Sequence, residues 1–161
     1  MDLQVTVTLP HTALFDGRAP ALVTREVVSA TEWAVNALVG AITPLTPVGV
    51  GGTLRAGFQS DVTGDGVEVR GRVFNPLGYA LPVEEGARPH FPPIGPLELW
   101  ARRKLGVPDG EARSVAFRIA RKIARHGTPA ARMVARGSAQ VAPAIHGRFA
   151  EATARIVAGL S

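Results

Sequence analysis

Thr46-Pro47-Val48-Gly49-Val50-Gly51-Gly52-Thr53-Leu54-Arg55 opens the stretch on which the fold turns. Pro47 stiffens its start while Gly49, Gly51 and Gly52 loosen the rest, so these four residues read as a turn or hinge. Beyond it, Val67, Val69 and Val73 alternate with Glu68, Arg70 and Arg72 after Gly64-Asp65-Gly66, which predicts a β-hairpin between residues 54 and 74. Tyr79-Ala80-Leu81-Pro82-Val83-Glu84-Glu85-Gly86 then reads as an extended edge segment closed by a glycine. These are parts of an assembly module, and they direct attention to surfaces before active sites.

Working outward, Leu3, Val5, Val7 and Leu9 alternate with Gln4, Thr6 and Thr8, a half-buried strand ended by Pro10. Asp16-Gly17 turns the chain. Val23, Val27, Ala30, Ala34, Leu38 and Ala41 then recur at helical spacing, predicting a helix over residues 21–42 that starts after Pro20 and closes at Gly40 and Pro44. Four prolines between residues 88 and 96 forbid continuous sheet pairing, so that segment should run as an extended arm. Pro96 should start a short helix through Leu105, stopped by Gly106 and Pro108. A helix over 111–126 carries acid at its start and base at its end, as the helix dipole favours, and stops at Gly127-Thr128-Pro129. Ile145, Phe149, Ala152, Ile156 and Leu160 mark a last helix over about 143–160. The fold class is therefore α+β, a single domain over 1–161 with a small antiparallel sheet (hairpin plus edge strands) packed against a long N-terminal helix and C-terminal helices.

A chain of 161 residues can bury about 68–70% of its unfolded surface, so it needs no covalent staples. It contains no cysteine, which excludes disulfides and thiolate metal sites. Met1-Asp2-Leu3-Gln4 shows no leader pattern and no apolar run is long enough for a bilayer, so a soluble, unprocessed chain is expected. Eighteen basic residues, all but Lys104 and Lys122 arginine, against thirteen acidic ones give a net charge of +5. That balance permits an acidic partner or nucleic acid.

Enzymatic readings fit poorly. Gly49-Val50-Gly51-Gly52-Thr53 lacks the Gly-Lys-Ser/Thr ending of a phosphate loop and is expected to precede a strand. Asp61, Asp65 and Gly66 imitate the start of a calcium loop, but its third position is Thr63 and its twelfth Arg72. His11, His90, His126 and His146 show no i, i+4 pair, and the serines carry no nucleophile-elbow motif. Glu84 and Glu85, adjacent in an extended segment, would point to opposite faces. No catalytic residue, cofactor, metal or small-molecule substrate is expected.

The helix over 111–126 holds the one unusual charge pattern. Arg118, Arg121, Lys122 and Arg125 share a broad face, and Val115, Ile119 and Ile123 share another. Like charges at that spacing cost an isolated helix a few tenths of a kcal/mol per pair, so compensation by acidic residues of a neighbour, by DNA or by the helix dipole is expected.

Thr46-Pro47-Val48-Gly49 with Gly52-Thr53-Leu54-Arg55, Tyr79-Ala80, Val83-Glu84 before Gly86, and Arg88-Pro89-His90-Phe91-Pro92-Pro93 together resemble the tail-completion or head-tail joining proteins of long-tailed bacteriophages. Ile119-Ala120-Arg121-Lys122-Ile123-Ala124-Arg125-His126-Gly127-Thr128-Pro129 is similar to that family's helix and its stop. The likeness covers about residues 21–135. It departs from the family at Gly49-Val50-Gly51-Gly52, where an Asp-Thr-Gly step is common, and at Gly86-Ala87, where Gly-Thr is common. It implies a structural virion protein at the head-tail junction, made in the host bacterial cytoplasm, that assembles with copies of itself, as a ring, and with neighbouring neck or tail proteins, with DNA contact in the lumen as a further option. Tyr79, Val83, Glu84, Pro89, His90 and Phe91 are the expected interface residues. A tail-terminator-like ring protein and a small basic nucleic-acid-binding protein are the alternatives.

Overall fold

The computed structural model describes residues 1–8, 19–65 and 68–160. The strand end at Leu9-Pro10, the turn at Asp16-Gly17, the Gly66 turn tip with Val67, and His11 lie outside the described residues. The fold is α+β. In chain order the elements are β1 (Asp2–Thr8), α1 (Ala19–Leu45), α2 (Thr53–Ala56), β2 (Gln59–Asp65), β3 (Glu68–Phe74), α3 (Ala80–Glu85), α4 (Ile94–Leu105), α5 (Asp109–His126) and α6 (Met133–Leu160). They pack as two compact units. The first comprises Met1–Leu45, Phe58–Asn75 and Val134–Ser161; the second comprises Thr46–Gly57 and Pro76–Met133.

In the first unit the described strands form one antiparallel sheet in the order β1-β3-β2, with β3 central. Gln4 and Asp61 both lie opposite Arg72 in this register. Arg72 donates to Asp61 Oδ2 from Nη2 at 2.8 Å and from Nε at 3.2 Å, and its guanidinium lies 4.4 Å from the centre of the Phe74 ring. The aspartate that imitated a calcium ligand is thus half of a cross-strand ion pair.

Along β3 burial alternates, with Val69, Gly71 and Val73 turned inward beneath α1. The α1 face that covers them is the one read from the sequence: Val23, Val27, Ala30, Ala34 and Leu38 are buried, joined by Thr31, Val35 and Ile42. Thr31 needs no outside partner because its hydroxyl donates to Val27 O at 2.8 Å. Val7, Val28, Val62 and Ile156 close around the Val23, Val27, Val69 cluster, so both sheet and C-terminal helix contribute to one core.

Several element bounds differ from the sequence reading. α1 runs through Gly40 and Pro44 to Leu45, because a proline so near a helix end forfeits a single hydrogen bond. α6 starts at Met133 and carries Pro143 inside it, where the expectation began a helix. Its packing explains the continuity: Gly137 brings its backbone against Ile42, Ile145 and Ala152 are buried, and Gly159 meets Leu22. Finally, residues 53–56 form a helical turn, so the sheet strand begins at Gln59.

An ion-pair cluster joins α1 to α6. Arg155 Nε donates to Glu26 Oε2 at 2.6 Å, and Arg25 donates to Glu26 Oε1 at 3.1 Å. The Arg155 hydrogen bond holds the Glu26 carboxyl below its ordinary value against a desolvation that raises it, and Arg25 adds to the lowering. A lowered folded pKa contributes stability that is fully present above the unfolded value and lost as pH falls through the folded one. Glu26→Gln is therefore expected to lower the melting temperature by a few degrees at neutral pH. Its deficit relative to the parent protein should shrink as the pH falls below the ordinary carboxylate value of about 4.3 and vanish once the pH has fallen through the lowered folded value. A deficit that persists unchanged in acid would assign the loss to packing.

Candidate functional site

The second unit is organised around a hydrogen-bonded clasp. Ala87 and Thr128 exchange backbone bonds at 3.1 and 2.9 Å, and Ala87 N also lies 3.0 Å from the Thr128 hydroxyl. One step further, Ala131 N donates to Val83 O at 2.9 Å and Arg132 N to Glu84 O at 3.1 Å, satisfying carbonyls that end α3. Arg132, with φ of 49°, is the one non-glycine in the left-handed region among the described residues. Gly86 and Gly127 sit on either side of the crossing with positive φ, and a Cβ on either would strike the backbone of the opposite segment.

The clasp corrects the reading of Tyr79 to Gly86. Residues 80–85 are helical, with Pro82 in the first turn, where its missing N–H costs nothing. Tyr79 is the N-cap residue and 48% exposed, Val83 is half-buried, and Glu84 is buried within its own chain. The Glu84 side chain is therefore kept within the chain, whereas that of Tyr79 reaches solvent.

Tyr79 and Val83 face the glycine loop. Pro47, Gly49, Val50, Gly51, Gly52, Thr53 and Leu54 join them in lining a hollow of about 340 Å³. Arg55 ties the loop's two ends, donating to Thr46 O from Nη2 at 3.0 Å and Nε at 3.3 Å. Only Gly52 in the loop has a positive φ, 67°, directly before α2. The loop thus leads into a helical turn where a strand was expected. That turn has four residues and no lysine, so the phosphate-loop reading gains nothing from it.

The proline arm occupies residues 88–93, shorter than expected because α4 begins at Ile94 with Pro96 inside its first turn. Pro89, His90 and Phe91 are exposed. His90 Nδ1 donates to Arg88 O at 2.8 Å, and Phe91 meets Phe117 of α5 edge to face, with ring centres 5.9 Å apart. The arm is therefore docked on α5 by one aromatic contact, with half of each ring left to solvent.

α5 buries Ala112, Ala116 and Ala120, a strip of small residues that lets α4 lie close, while Val115, Ile119 and Ile123 are half-buried. On the opposite side Arg118, Arg121, Lys122 and Arg125 are exposed and, with His126, line a shallow concavity of about 290 Å³. None of the four makes an ion pair or a side-chain hydrogen bond among the described residues.

The structure thus gathers Pro47, Gly49, Gly51 and Gly52 with Tyr79 and Val83 into one hollow, and the four basic residues into one face. It places Pro89, His90 and Phe91 on the arm. His126, Phe117 and the loop residues Val50, Thr53 and Leu54 were missed; for His126 the helical wheel was the available signal. Among the described residues no group of three His, Asp or Glu is placed to hold a metal, and no helix is long and apolar enough to cross a membrane. No family model, curated protein or solved structure matches the chain.

Proposed function

We propose that this chain is a structural subunit of a bacteriophage neck, completing the tail or joining it to the head, and that it works by docking rather than by turnover. The supporting observation is the clasp. Val83-Glu84, Gly86 and Gly127-Thr128-Pro129, which carry the family resemblance from two distant parts of the chain, form one hydrogen-bonded unit that holds Tyr79 at the rim of a hollow. The same unit bears seven of the nine large apolar side chains that are exposed among the described residues, Tyr79, Leu81 and Phe91 included. Apolar surface concentrated in this way suits a subunit that neighbours cover.

Tyr79 offers the cleanest test, since it is half-exposed and its replacement leaves the core alone. Tyr79→Asp is expected to cut the yield of infectious particles by at least about tenfold, the size of effect that loss of an interface anchor of ~1.4 kcal/mol or more produces. Tyr79→Phe should retain most of it. Normal particle yield from Tyr79→Asp, or absence of the protein from purified virions, would overturn the reading.

A further inference from the structure

We infer that the exposed face of α5 binds the phosphodiester backbone of a nucleic acid, whether or not the chain serves in a phage neck. Charge is divided unevenly between the two units. The second holds eleven of the eighteen basic residues and five of the thirteen acidic ones, so it carries a formal excess of six, while the first is left with a deficit of one. Its basic residues are also largely unspent: Arg102 pairs with Glu98 and Asp109 and Arg55 is engaged at Thr46 O, while none of the other nine pairs with a carboxylate among the described residues. In the first unit Arg25, Arg70, Arg72, Arg148 and Arg155 are paired, which leaves Arg136 as the one described basic residue there without a carboxylate.

A second copy of this chain offers that face few free anions among its described residues. Its exposed carboxylates outside ion pairs, among the described residues, are Glu32, Glu85 and Glu111, one in the first unit and two in the second. A partner that brings a dense row of anions of its own fits the face better. From Arg118 to His126 the face extends about 12 Å along the helix at ~1.5 Å per residue, enough to follow a phosphate backbone. Three of its four permanent cations are arginines, whose planar donors match phosphate oxygens two at a time. Donors spent on phosphate oxygens carry no sequence information, so binding through this face should be independent of sequence.

Fluorescence anisotropy of the full chain with a short labelled DNA duplex of mixed sequence tests it. Four phosphate contacts predict that affinity falls about 100-fold between 50 and 200 mM salt. Arg121→Gln with Arg125→Gln should bind at least about tenfold more weakly at the lower salt and lose only about tenfold over the same range. Both side chains are exposed and unpaired, so an unchanged melting curve for the variant is expected and separates lost contacts from lost fold. Single-stranded DNA of the same sequence, run in parallel, identifies which form the face prefers, and binding of either supports the inference. No binding at 50 mM salt, or a salt slope unmoved by the double substitution, would overturn it. Displacement of the duplex by poly-glutamate of equal charge as readily as by unlabelled duplex would overturn it too, and would assign the face to an acidic protein.

Discussion

Gly127→Ala is expected to lower the melting temperature by about 10 °C or to leave the second unit unfolded. Gly127 has φ of 69° and ψ of −158°, a region that only glycine populates freely, and its missing Cβ would stand 2.0 Å from Ala87 O. An alanine must therefore either adopt a backbone strained by about 1–3 kcal/mol or push Ala87 away. The second course breaks both backbone bonds between Ala87 and Thr128 and the contact of Ala87 N with the Thr128 hydroxyl, at about 1 kcal/mol per hydrogen bond, so ~3 kcal/mol is the expected loss. Gly86→Ala should behave alike, with its Cβ 2.6 Å from Thr128 O and 2.9 Å from Ala130 N. Because both substitutions open the same crossing, the double variant should lose clearly less than the sum. Gly110→Ala is the control: a Cβ there meets nothing within 4 Å, and this helical glycine should melt no lower than the parent. Calorimetry of the parent and these variants decides. A Gly127→Ala melting point within about 2 °C of the parent's would mean that the clasp stabilises nothing.

What the sequence disclosed follows from the range of the interactions involved. β1, the hairpin, the α1 face and α5 were legible because a periodicity of two or 3.6 residues is a local signal, and burial obeys it at Val69 and Val73 and at Val23 to Leu38. Prolines misled in proportion to the packing they could not reveal. Pro143 reads as a helix start, yet the contact of Gly137 with Ile42, set by residues almost a hundred positions away, carries α6 straight through it. Tyr79 to Gly86, with Pro82 in its middle, reads as extended, yet in the first turn of α3 that proline is harmless. The hollow was hidden for the same reason, because residues 47–54 and 79–83 meet only in three dimensions. So was the uneven division of charge, since each unit is assembled from separated segments and no composition shift along the chain marks their borders.

Gly71 tests the closest approach of helix to sheet. It lies inward on β3 between Val69 and Val73, opposite Val5 of β1 and Val62 of β2, in the central strand. A Cβ there would stand 2.7 Å from both Thr31 Cγ2 and Val35 Cγ1. Neither neighbour is the loose end of a flexible chain. Thr31 is fixed in its rotamer by its bond to Val27 O, and Val35, being β-branched, has one strongly preferred rotamer in a helix. The helix must then lift from the sheet. Gly71→Val is expected to cost about 3 kcal/mol, the upper end for overpacking, and Gly71→Ala about 1–2 kcal/mol, since a smaller clash is offset by the better strand propensity of alanine. A second substitution separates this clash from any other source of the loss. Val35→Ala removes one of the two methyls in the way and by itself costs the protein a cavity, but combined with Gly71→Ala it relieves one of the two clashes and lets the new Cβ shift toward the vacated side. The double variant should therefore be more stable than the sum of the single losses by about 1 kcal/mol, measured by denaturant unfolding of all four combinations. Strict additivity would show that α1 yields to the alanine without strain, and that the glycine of β3 is not what sets the height of the helix above the sheet.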